Sequence, residues 1–61
     1  MRNETAIECR LQEIRNSLRV MQEYLDIRTI NEDWHGVMDA SADIRELLAE
    51  QRTLLWVTEE E

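Results

Sequence analysis

Residues 33–55 read DWHGVMDASADIRELLAEQRTLL and dominate the fold predicted for this 61-residue chain. Apolar side chains recur there every three or four residues, the repeat of an amphipathic α-helix. They fall on two adjacent lines, so the apolar face is wider than one neighbouring helix can cover. One line comprises Ile30, Trp34, Val37, Ser41, Ile44, Leu48, Gln51 and Leu55, and the other Gly36 or Val37, Ala40, Leu47 and Leu54.

Another helix is predicted before this stretch, because apolar residues repeat there with the four-and-three spacing of a heptad seam. Its seam comprises Ile7, Leu11, Ile14, Leu18, Met21 and Leu25. Arg28 and Glu32 break the seam, and Thr29 with Glu32 matches a helix-capping box. The sequence therefore predicts a single domain over residues 1–61, an antiparallel hairpin with helices at about residues 4–27 and 30–56, a turn at about 26–30 and an acidic tail at 58–61.

The composition favours an all-α protein, because the chain has no proline and one glycine and a β fold would need more turn residues. A single long helix is the alternative to the hairpin. It would use a drifting apolar line that comprises Val20, Tyr24, Ile27, Ile30 and Trp34.

Two helices of this length bury too little apolar surface to offset their ordering entropy comfortably. We therefore expect a homodimer in which two hairpins form a four-helix bundle. The predicted dimer core comprises Trp34, Val37, Ala40, Ile44, Leu47, Leu48 and Leu55.

The chain has a formal net charge of −7, from 14 acids and seven arginines. Nine of the acids and two of the arginines lie in residues 29–61. This balance argues against direct binding to nucleic acid or to an anionic membrane. A lone cysteine, Cys9, excludes an internal disulfide and fits a reducing compartment. With no apolar run near 18 residues, the expected location is the cytoplasm.

One side of the second predicted helix carries a row of acids headed by a histidine, called the acidic stripe below. It comprises Glu32, His35, Asp39, Asp43, Glu46 and Glu50. Three explanations remain open. The stripe is neutralised by Arg10, Arg15 and Arg19 of the first helix or of a partner subunit, it docks onto a basic patch of another protein, or His35 and Asp39 bind a metal together with carboxylates of a second subunit.

His35 beside Asp39 also resembles a general base with its orienting acid. No nucleophile, glycine-rich phosphate loop or second histidine accompanies the pair, so we expect neither an enzyme nor a cofactor. Trp56, in the run LLWV at residues 54–57, is either the last layer of the dimer core or an anchor for another protein. The predicted partner-binding residues are therefore the acidic stripe and Trp56.

The segments DWH at residues 33–35, DA at 39–40 and DIREL at 43–47 resemble a pattern found in small accessory proteins encoded by bacteriophages. Proteins of that kind frequently bind and block host proteins, including defence nucleases. The resemblance implies an inhibitor or regulator and assigns no residue a role. The sequence thus predicts a small acidic protein-interaction module. The alternatives are an acidic nucleic-acid mimic that occupies a DNA- or RNA-binding cleft, and a helical dimer that binds a small ligand or metal.

Overall fold

The structure, a computed structural model, describes residues 4–59 and contains two α-helices in that part of the chain. Helix α1 spans Glu4–Ile30 and helix α2 spans Trp34–Glu59. The helices pack side by side and antiparallel, as a rod with extents of 46 × 15 × 12 Å. This arrangement confirms the predicted all-α hairpin and excludes the single long helix. Neither helix is long and apolar enough to cross a membrane within the described residues.

The turn between the helices is a Schellman motif, the common end of a helix in which two backbone bonds close back over the last turn. The Glu32 amide donates to the Thr29 carbonyl (3.0 Å), and the Asp33 amide donates to the Arg28 carbonyl (2.9 Å). Glu32 has the left-handed backbone that this motif requires, with φ of 57°. A residue other than glycine in this conformation costs about 1–2 kcal/mol.

Asp33 joins the two helices. Its carboxylate accepts a hydrogen bond from the Gly36 amide (3.1 Å) and its carbonyl accepts one from the Val37 amide (3.0 Å), so it is the N-cap of α2. The same carboxylate lies 3.4 Å from a guanidinium nitrogen of Arg28. The residue that caps α2 thus also holds the last turn of α1.

The predicted turn at residues 26–30 and the capping box at Thr29 are wrong. The Thr29 hydroxyl donates to the Leu25 carbonyl (2.8 Å), so it belongs to α1. Arg28 does not break the seam, because it extends over the Tyr24 ring, 4.7 Å from the centroid, and its aliphatic carbons lie against Gly36. Helix α1 therefore continues to Ile30 and the turn follows it.

The far end of the hairpin also differs from the prediction. Helix α2 continues to Glu59, beyond the expected end near residue 56, so residues 58 and 59 of the predicted acidic tail are helical. Glu60 and Glu61 lie outside the described residues.

The core of the hairpin is small. Among the described residues, the buried hydrophobic side chains are Leu11, Ile14 and Ala40. The remaining seam residues of α1 and their neighbours on α2 are half-buried: Ile7, Leu18, Met21, Leu25, Val37, Ile44, Leu47 and Leu54. Of the two apolar lines on α2, the one through Ala40, Leu47 and Leu54 therefore faces α1.

Several members of the predicted dimer core are exposed in the hairpin. Trp34 is 58% exposed, Leu48 42% and Leu55 41%. Val37, Ile44 and Leu47 are half-buried, and Ala40 is completely covered within a single hairpin. Ala40 therefore belongs to the hairpin core and offers no free surface to a second chain.

Candidate functional site: an acidic groove between the helices

The acidic stripe lies along one edge of α2, where it borders a groove between the two helices. Glu32 does not belong to it, because this residue lies in the turn before α2 begins. The other five predicted members lie on α2 at helical spacing. An α-helix places residues three or four apart on one face, so the structure keeps Asp39, Asp43, Glu46 and Glu50 together.

Two neighbouring depressions form this groove, which we call the acidic groove. The part toward the open end of the hairpin is lined by Arg10, Ser17, Met21, Asp43, Glu46, Leu47 and Glu50. The part toward the turn is lined by Val20, Met21, Tyr24, Asp39, Ala40 and Asp43. The wall formed by α2 is therefore acidic, and the wall formed by α1 is largely apolar.

One predicted arginine neutralises part of the stripe. The Arg10 guanidinium donates two hydrogen bonds to the Glu50 carboxylate, at 2.6 and 2.7 Å. This bidentate contact lowers the pKa of Glu50 from its ordinary value and raises the pKa of Arg10, chiefly through the hydrogen bonds. Arg10 also lies 3.7 Å from Glu13.

The other two predicted arginines do not reach the stripe. Arg15 and Arg19 are exposed and form no ion pair within residues 4–59. Asp43 and Glu46 likewise have no cationic partner in the described chain and are exposed. Internal neutralisation is thus limited to one end of the stripe, and the middle carries free negative charge.

His35 and Asp39 form an exposed pair at the other end of the stripe. The His35 Nε2 lies 3.6 Å from the Asp39 carboxylate, and the two side chains are 90% and 70% exposed. Among residues 4–59, no group of three or more histidine, cysteine, aspartate or glutamate side chains is placed to hold a metal ion. A contact this open does not fix either side chain. A catalytic base or a metal ligand would require a side chain held in one position.

Exposed apolar side chains adjoin the carboxylates. Across the groove, Val20 is 57% exposed and Tyr24 39%. In the sequence, both residues belong to the apolar line that a single long helix would use. Only the hairpin places them opposite Asp39 and Asp43. Trp56, predicted to bind a partner, is 60% exposed near the end of α2, and Cys9 is exposed on α1.

Comparisons of the chain with protein-family models, with curated proteins and with solved structures found no match. The chemistry of the acidic groove therefore carries the functional argument. Its carboxylates attract lysine and arginine side chains over several ångströms. Its apolar wall offers surface that a bound partner can remove from water.

Proposed function

We propose that this chain is a small acidic protein-interaction module that binds a basic surface of another protein through the acidic groove, acting as a homodimer. The observation that carries the proposal is the free negative charge of Asp43 and Glu46 along one wall of the acidic groove, with the exposed Val20 and Tyr24 on the other wall opposite Asp43. Acidic residues raise the rate of encounter with a basic partner and select against acidic ones. Apolar side chains supply contact area once the partner is in place.

The energetics of α2 indicate that the acidic stripe acts between molecules and does not stabilise the hairpin itself. Asp39 and Asp43 are four residues apart, as are Glu46 and Glu50, and like charges at this spacing cost an isolated helix roughly 0.2–0.5 kcal/mol per pair. Only Glu50 is compensated by an arginine in the described chain. The stripe is thus unfavourable for the hairpin alone, and a basic partner would remove that cost.

The apolar wall favours a basic amphipathic surface as the target over a cleft that binds the phosphates of a nucleic acid. Carboxylates on successive turns repeat at about 5.4 Å, near a phosphate spacing, and this is the basis of the alternative in which the chain mimics nucleic acid. A mimic of a phosphate backbone has no need of an exposed valine and tyrosine between the helices. A basic amphipathic segment of a protein would use both walls.

The resemblance of residues 33–47 to phage accessory proteins gives the proposed target a context. On this proposal the partner is a host protein, such as a defence protein, and binding blocks it. A basic surface is common on proteins that handle nucleic acid, and covering such a surface would be sufficient for inhibition.

The proposal is tested by reversing the two unpaired acids. Asp43→Lys together with Glu46→Lys should leave the hairpin folded, because neither carboxylate has an ion pair to lose within residues 4–59. The chain, immobilised as bait in a bacterial lysate, captures its target for identification, and calorimetry with the purified target then measures affinity at low and high salt. We expect the double reversal to weaken binding at least tenfold and to flatten its salt dependence.

A matched control is Glu8→Lys together with Glu23→Lys, which makes the same change in net charge at exposed positions of α1. It should retain most of the affinity. If both double variants weaken binding equally, net charge and not the acidic groove determines recognition. If the reversal at Asp43 and Glu46 lowers the melting temperature and leaves affinity unchanged, the stripe serves stability and the proposal is wrong. Competition by duplex DNA for the same target site, without loss on Val20→Ser, would favour the nucleic-acid mimic.

A further inference from the structure

Helix α2 carries a second, largely apolar surface beside the line through Ala40, Leu47 and Leu54 that faces α1; it is called the apolar face below. It comprises Trp34, Met38, Ser41, Leu48 and Leu55. The spacings of four, three, seven and seven residues keep these positions on one heptad line. Trp34 is 58% exposed, Met38 70%, Leu48 42% and Leu55 41%, so one helix presents four large apolar side chains to water.

The extent of this surface fits a dimer interface. The apolar face runs along α2 from Trp34 to Leu55, about 32 Å at the helical rise of about 1.5 Å per residue, which is most of the length of the 46 Å rod. The hairpin core encloses only Leu11, Ile14 and Ala40 among the described hydrophobic residues. A domain of this size obtains only marginal stability from its own core, so covering the apolar face would add substantially to stability.

Charge excludes the acidic groove as the surface where two copies meet. A two-fold axis at that groove would bring Asp43 and Glu46 of each copy against the same residues of the other. The apolar face instead carries Arg45 and Arg52, which have no acid three or four residues away in α2 and no ion pair within residues 4–59. A second copy on this face meets cations that its own acids can pair with.

An acid that can pair with these arginines lies on the same side of the rod. Asp26 lines the groove on the side of the apolar face, together with Leu25, Val37 and Ser41. Its carboxylate accepts a hydrogen bond from the side-chain amide of Gln22 (3.1 Å) and forms no ion pair within the described chain. Each copy therefore brings an unpaired acid and an unpaired base to one face.

The positions of these charges along the rod distinguish the two possible orientations. Arg10 contacts Glu50 across the hairpin, so Arg52 lies near the open end, level with the start of α1. Asp26 lies near the turn. In a parallel dimer each charge would lie level with the same charge of the partner subunit. In an antiparallel dimer with full overlap, the open end of one rod lies beside the turn of the other, and opposite charges come level.

We propose that a second copy of this chain docks on the apolar face in an antiparallel orientation, placing Arg52 beside Asp26 of the partner subunit. The two hairpins form a four-helix bundle in which Trp34, Leu48 and Leu55 are covered, while both acidic grooves face outward. This inference rests on the homodimer proposed above and defines its interface. It leaves the acidic grooves free for a different protein.

Sedimentation equilibrium at low micromolar concentration tests the face with a matched pair of variants. Leu48→Asp places a charge on the apolar face, and Val20→Asp places one at a side chain that is more exposed but lies in the acidic groove. We expect Leu48→Asp to raise the dimer Kd at least a hundredfold and Val20→Asp to change it less than threefold. Equal effects of the two variants would overturn the assignment of the face.

A charge exchange tests the orientation. Arg52→Asp and Asp26→Arg should each raise the dimer Kd about tenfold, because each turns two attractive pairs into repulsive ones. The variant with both changes should recover to within about threefold of the original chain. Recovery also reports on folding, since a chain that had failed to fold would not dimerise. If the double variant is as weak as the singles, the antiparallel arrangement is wrong although the dimer stands. If the unmodified chain sediments as a monomer, the homodimer itself is refuted.

Discussion

Replacing Asp33 with alanine should destabilise the hairpin at its turn. The substitution removes the acceptor for the Gly36 amide, and loss of an N-cap costs about 1 kcal/mol. It also removes the contact with Arg28. Because both side chains are more than a third exposed, solvent screening reduces this pair to a few tenths of a kcal/mol. The expected total is about 1.5 kcal/mol, or about 6–12 °C in Tm for a domain of this size.

Asp33→Asn separates the two contributions. Asparagine caps a helix about as well as aspartate, so this variant should lose only the few tenths of a kcal/mol that come from the charge. The measurement is urea unfolding followed by circular dichroism, at one fixed chain concentration because self-association would shift the midpoint. If alanine and asparagine destabilise equally, the cap is not what holds the turn. A loss below about 0.3 kcal/mol for alanine would contradict the dual role of Asp33 altogether.

Two further predictions concern Glu32 and the Arg10–Glu50 pair. Glu32→Gly should raise the free energy of unfolding by about 1 kcal/mol, since glycine adopts the left-handed conformation at φ 57° without steric cost. Glu32→Ala is the control and should change this free energy little. A glycine variant that is destabilised in urea unfolding would show that the strain is absent. Because Arg10 lowers the pKa of Glu50, the pair contributes stability above the unfolded pKa of a glutamate, about 4.3, and that contribution is lost as the pH falls through the lowered folded value. Glu50→Gln should therefore be less stable than the original chain at pH 7, with a difference that shrinks below about pH 4; a difference in Tm that is constant from pH 7 to pH 3 would refute this.

The hairpin could be predicted from the sequence because the seam of α1 is regular. Every seam position from Ile7 to Leu25 is buried or half-buried in the structure. Helix α2 was harder, since its two apolar lines have the same period. Periodicity shows that both lines are apolar but does not show which one faces α1. The structure places Ala40 in the core and leaves Leu48 partly exposed, whereas the apolar pattern groups both in one predicted dimer core.

The turn could not be placed from the sequence because its signals are unusual. A Schellman motif normally has glycine at its left-handed position, and here that position is Glu32. The charge of Arg28 indicates an interruption of the seam, yet its side chain lies against Tyr24 and Gly36. An Asp–Trp–His–Gly sequence with Asp33 three residues before Gly36 was a usable signal for the cap. The pairing of Arg10 with Glu50 depends on the register of the two helices, which only the three-dimensional structure gives.

The antiparallel packing of α1 and α2 places the start of one helix and the end of the other at the same end of a 46 Å rod. A fused protein at either terminus therefore crowds the open end and leaves the Trp34 end accessible. The geometry also limits covalent tandem repeats of the chain. In an antiparallel pair, a peptide connecting two copies must run the length of the rod, and an extended chain covers at most 3.3–3.6 Å per residue. Connectors shorter than about 13 residues would thus be too short for that pairing within one polypeptide, while longer ones would permit it. Connector length can therefore determine which topology a single-chain version of the molecule adopts.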